Sequence, residues 1–107
     1  MSAVVERVSV LKPKSESLER IKQLFTELAN QVIENESGCE AYTVWVQTES
    51  PTTPNVVIHE RYFNQESFDD HLKTPYFLEV AGAMGSEDLL REPLTLEESA
   101  VARLASR

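Results

Sequence analysis

Cys39-Glu40-Ala41-Tyr42-Thr43-Val44-Trp45-Val46-Gln47-Thr48 is rich in β-branched and aromatic residues and reads as a strand. Its alternating sets are Cys39, Ala41, Thr43 and Trp45 on one face and Tyr42, Val44 and Val46 on the other. A strand with one wet face alternates apolar with polar residues. Here both sets are largely apolar, so the pattern predicts cover on both sides. Ser50 to Asn55, with Pro51 and Pro54, makes a stiff turn. Val56 to Phe63 follows as another strand with apolar residues of both parities and with His59, Glu60 and Arg61 in its later half.

Working outward, Ala3 to Leu11 is β-branched and reads as the first strand, ended by Pro13. Its even positions Val4, Val8 and Val10 form an apolar row interrupted by Glu6; the odd row holds Val5, Arg7, Ser9 and Leu11. Ser15 reads as a helix N-cap. Leu18, Ile21, Leu24, Phe25, Leu28, Val32 and Ile33 then recur at helical spacing as one apolar stripe. Gly38 is the expected left-handed residue closing that helix. Asn64 reads as the cap of a second helix carrying Phe68 and Leu72, and Thr74-Pro75 restarts it. Tyr76, Phe77, Val80, Ala81 and Met84 carry its apolar side onward. Leu90 to Leu96, around Pro93, reads as an edge strand, and the chain from Glu97 on as a short helix or a frayed tail.

The order β-α-β-β-α-β predicts an α+β, ferredoxin-like fold with a four-stranded antiparallel sheet and both helices on one face. The other face must meet water, a ligand or another subunit. The two-sided apolar strands argue that it is not simply water.

A chain of 107 residues is the size of one domain, and a domain so small gains from burial against a partner. With 41% hydrophobic and 26% charged residues the composition is globular. Ten Lys and Arg are scattered and outnumbered by eighteen acids, giving a net charge of −8, which argues against nucleic acid as a partner. Apolar runs fall far short of the ~20 residues that span a bilayer, and the N-terminus lacks the pattern of a signal peptide. No membrane partner and a cytoplasmic location are the expectations. The single cysteine, Cys39, excludes an internal disulfide and reads as a small buried hydrophobe. No metal-ligand spacing, phosphate-binding glycine loop or nucleophile-elbow motif is visible, so no metal site is expected.

Three segments carry a family resemblance. Glu36-Ser37-Gly38-Cys39-Glu40-Ala41-Tyr42 resembles the E-x-G-C-x-x-Y segment of the antibiotic biosynthesis monooxygenase (ABM) domain family. Glu60-Arg61-Tyr62 resembles its E-x-W/Y, and Phe68 to Phe77, with His71 and Thr74-Pro75, its F-x-x-H-x-x-T/S-P-H/Y-F helix. The resemblance covers an ABM-like domain at about residues 3–97 and leaves 98–107 as a tail. It implies a dimeric α+β barrel, a homodimer formed through the uncovered sheet faces. It also implies a cofactor-free oxygenase acting on a small aromatic, quinol- or anthrone-like molecule. A haem-degrading branch is also similar. It places a Trp where Tyr62 stands and an iron-binding His where this chain has Ala81 and Gly82, neither of which ligates iron.

His71 matches the family's helix histidine and is the candidate base, an imidazole being able to take a proton near neutral pH. The alternative is a structural histidine at a helix end. Glu60 shares one parity of its strand with Tyr62, and His59 shares the other with Arg61. The comparison with the haem branch favours the Tyr62 side as lining of the uncovered face; an ion pair between Glu60 and the helix layer is the alternative. Tyr42 and Trp45 lie on opposite faces of their strand, one in the helix-side core and the other in the barrel interior. Arg7 reaches the same cavity if it faces inward, where it needs an acid or an anionic ligand. Phe77 completes the lining expected from the resemblance. A non-catalytic binding module and a proton-transfer isomerase are the competing functions.

Overall fold

A computed structural model describes residues 3–49, 53–94, 101–105 and 107. Strand β1 (Val5–Pro13) leads through a 3-10 turn (Ser15–Ser17) into helix α1 (Leu18–Asn35), followed by strands β2 (Cys39–Val46) and β3 (Val56–Tyr62). Helices α2 (Gln65–His71) and α3 (Pro75–Ser86) precede a short strand β4 (Leu90–Glu92). The four strands form one sheet in the order β2-β3-β1-β4, with every neighbouring pair antiparallel. The ferredoxin-like arrangement expected from the sequence is the one observed. The tail expected from Glu97 onward begins outside the described residues.

The core lies between the sheet and the helices. Ile21, Leu24, Phe25, Leu28, Ala29 and Val32 of α1 pack on Leu11, Tyr42, Val56 and Ile58 of the sheet. Ile33 leaves the predicted stripe and is 69% exposed, because Val32 already fills the inward position of that turn. Ser15 does not cap α1; its hydroxyl turns to Glu16, and Ser17 stands at the cap position without a side-chain bond. Asn64 and Thr74 do cap, accepting from Ser67 N at 2.8 Å and Phe77 N at 3.3 Å.

Register decides which residues share a face. Arg7 pairs with Glu60, and Glu60 with Tyr42, so these three form one row across β1, β3 and β2. Since Val56 and Ile58 are core residues beneath α1, the two-residue period puts Glu60 and Tyr62 on the helix side as well. The expectation that Tyr62 and Glu60 line the uncovered face is therefore corrected. That face carries Val8, Val10, Thr43, Trp45, Val57, His59 and Arg61 instead. Glu6 lies among them, bonded by His59 Nε2 at 2.6 Å, Arg61 at 3.0 Å and Arg103. Hydrogen bonds from Arg103 and His59 hold its carboxyl down at about 2.

Gly38 has a different task from the one expected. No described glycine has a positive φ, so helix closure does not require its conformational freedom. A Cβ at Gly38 would instead lie 2.2 Å from the Ser67 Oγ and 2.6 Å from its Cβ, at the start of α2. The missing side chain lets the end of α1 and the start of α2 approach each other. Gly38→Ala is expected to cost about 1–3 kcal/mol in urea unfolding. Much of that loss should return in the Gly38→Ala/Ser67→Gly double variant. Equal losses in both would show that the contact is not the cause.

Candidate active site

The site is built where α2 ends. Asn64 starts that helix, and Thr74 ties its end to α3, donating its hydroxyl to His71 O at 2.8 Å while capping Phe77 N. The Thr-Pro restart thereby sets His71 and Phe77 side by side, with ring centroids 5.0 Å apart. His71 is 1% exposed. Tyr42, Tyr62 and Phe68 enclose it further, at centroid distances of 5.9, 5.4 and 6.5 Å.

Two carboxylates flank the imidazole. Glu36, just past the end of α1, places both oxygens 3.1 Å from Nδ1. An ionised carboxylate only accepts, so Nδ1 donates, and whenever the imidazole is neutral its lone pair is therefore at Nε2. Nε2 faces Glu60 Oε1 at 3.9 Å, beyond hydrogen-bond length. Tyr76 donates its hydroxyl to Glu36, and Tyr62 donates to Glu60 Oε1 at 2.8 Å. A cleft of about 300 Å³ opens on Glu36 and His71 from outside, bordered by Gly38, Cys39, Ser67 and Thr74.

Burial governs the acid–base character of the surroundings. It raises the Glu60 carboxyl above the usual carboxylate range, against the opposing pull of Tyr62, His71 and Arg7. It raises the Tyr42 and Tyr62 phenols far above theirs, and lifts Tyr76 to about 12, so all three remain neutral donors at physiological pH. Burial also pushes the Cys39 thiol to about 11, where it stays un-ionised and bonds Ala41 O at 3.2 Å.

Of the residues singled out from the sequence, His71, Glu60, Tyr62, Tyr42, Phe77 and Arg7 all lie on the helix side of the sheet, around one buried imidazole. Trp45 does not. It is 51% exposed on the opposite face, where it stacks on His59. Glu36 and Tyr76 join the site without having been proposed for it. Glu36 stood inside the E-x-G-C segment, which was the available signal, and Tyr76 read only as an apolar helix residue. Among the described residues, no group of three His, Cys, Asp or Glu is placed to hold a metal ion.

The raised Glu60 carboxyl has a consequence for stability. A carboxyl that takes up its proton more readily when folded than when unfolded weakens the fold as pH rises above the unfolded value near 4.5. Glu60→Gln is therefore expected to raise the melting temperature at pH 7 by a few degrees and to give less gain at pH 4. Thermal melts at the two pH values measure this; equal shifts at both would contradict it.

Comparison with known proteins places the chain. No curated protein matches it closely enough to count as a relative. Among solved structures, Rv0793 from Mycobacterium tuberculosis is similar, with a TM-score of 0.80 at 20% identity over 97% of this chain and 98% of that one. A candidate antibiotic biosynthesis monooxygenase from Caulobacter crescentus gives 0.76 at 22% identity, over 88% and 85%. A conserved protein from Methanosarcina mazei gives 0.73 at 20% identity, over 88% of each chain. At these identities the likeness shows the shared fold. The family model described as antibiotic biosynthesis monooxygenase, ABM, matches residues 4–83, spanning β1 through most of α3 and taking in His71, Glu36 and Glu60, and the chain belongs to that family.

Proposed function

We propose that the protein is a cofactor-independent monooxygenase of a small hydroxylated aromatic, quinol- or anthrone-like in class. The observation that carries this reading is His71, buried among aromatic rings with Nδ1 held by Glu36 and Nε2 turned toward Glu60. Such an imidazole is oriented to take a proton from a substrate hydroxyl at Nε2 while Glu36 stabilises the imidazolium that forms. Loss of that proton makes the ring electron-rich enough to pass an electron to O₂. Exclusion of water by Tyr42, Tyr62, Phe68 and Phe77 protects the reactive intermediate. Glu60, with its raised proton affinity and its bond from Tyr62, is a second proton-holding group on the same side. The competing functions use the same histidine without oxygen, or no reaction at all.

Oxygen uptake is the measurement. With a panel of hydroquinones and anthrones, His71→Ala is expected to lower kcat by about 10²–10⁴-fold. Turnover without oxygen consumption would point to a proton-transfer isomerase. Binding of panel members with no turnover would point to a binding module.

The working unit in this reading is a homodimer joined through the uncovered sheet face. Val8, Val10, Val57 and the exposed Trp45 support it, because a face this apolar gains from cover. No helix among the described residues is long and apolar enough to cross a membrane. A cytosolic location accords with the lone, half-buried thiol of Cys39. Sedimentation at micromolar concentration should give a particle of twice the chain mass, and Trp45→Glu should shift it toward the monomer. A wild-type monomer would exclude the dimer.

A further inference from the structure

Arg20, Arg61, Arg91 and Arg103 each donate to a carboxylate, an amide or a backbone carbonyl. Arg7 differs. It is half-buried on the helix side of β1 and makes no hydrogen bond or ion pair among the described residues. Its guanidinium carbon stands 5.2 Å from the centre of the Phe68 ring, the same ring that stacks on His71. Across the sheet it neighbours Glu60, close enough for attraction but not within ion-pair distance. One oxygen of Glu60 already receives the Tyr62 hydroxyl. A guanidinium carries five donors in a planar fork that matches a carboxylate, and taking that fork partly out of water without an acceptor is unfavourable.

We infer that Arg7 selects an aromatic substrate carrying an anionic group, a carboxylate above all. This rests on the reading of the His71 side as a site for hydroxylated aromatics. The arene would lie with its hydroxyl toward His71 and Glu60, and the anionic group would accept the Arg7 fork beside Phe68. On a chain of net charge −8, the wider field repels anions, so their selection has to come from a local cation of this kind. The rival role for Arg7 is to balance the charge of Glu60. In that role it would act on charged and neutral ligands alike.

A matched pair separates the two roles: 2,5-dihydroxybenzoate, which has a free carboxylate, and its neutral methyl ester. Dissociation constants are measured by calorimetry under argon, with thermal melts to confirm that each variant is folded. Wild type should bind the acid at least about tenfold more tightly than the ester. Arg7→Gln should remove that preference while leaving the ester unchanged, and Arg7→Lys should keep part of it. The inference is overturned if wild type binds the ester as tightly as the acid, if the preference survives in Arg7→Gln, or if the acid shows no measurable binding. An acid preference that depends on Arg7, without oxygen uptake, would sink the oxygenase reading alone. Oxygen uptake with equal affinity for acid and ester would sink the role of Arg7 alone.

Discussion

A histidine closed off from water among four aromatic rings leaves its ring nitrogens dependent on what neighbouring elements bring to them. An unmet buried polar group costs about 1–3 kcal/mol, so the bond between His71 Nδ1 and Glu36 constrains much of the surrounding structure. It joins the end of α1 to the end of α2, two elements separated by the whole of β2 and β3. Gly38 permits the close approach of these elements, and Thr74 holds the other end of the arrangement by bonding His71 O and capping α3. Tyr76, from the first turn of α3, closes on Glu36 and leaves that carboxylate bonded from two helices.

The sheet serves two different demands on its two faces. Toward the helices, β3 runs from apolar to polar along one row: Val56 and Ile58 enter the core, while Glu60 and Tyr62 enter the site. The helix-side row of β1 runs the other way, with Leu11 in the core and Arg7 at the site. Antiparallel pairing brings the two polar ends together, so the core and the candidate site occupy opposite ends of one layer. The outer face carries Val8, Val10, Val57 and Trp45 around a nearly buried Glu6, which is hydrogen-bonded to His59 and has its charge balanced by Arg61 and Arg103.

Membership of the ABM family and the fold shared with proteins about 20% identical set the scaffold but leave the reaction to the side chains it positions. The arrangement around His71 combines an oriented imidazole, neutral phenols and a carboxyl whose proton affinity is raised by burial. These are the parts that proton abstraction in a dry pocket requires.

Local patterns carried much of this structure. The stripe on α1, the caps at Asn64 and Thr74 and the order of strands and helices were legible because each depends on residues within a few positions of one another. So was the sharing of a face by Glu60 and Tyr62, which follows from the two-residue period of a strand. Which face they share was not legible. Both rows of β3 hold apolar residues, and the choice between them is made by α1 packing on Val56 and Ile58, a long-range contact with no local signature. The same limit hid Glu36 as the partner of His71, the steric task of Gly38 and the separation of Trp45 from the site. The sequence by itself determined the elements and the sets of side chains that move together. Only tertiary packing decided which sets meet, because meeting depends on elements far apart in the chain coming into contact.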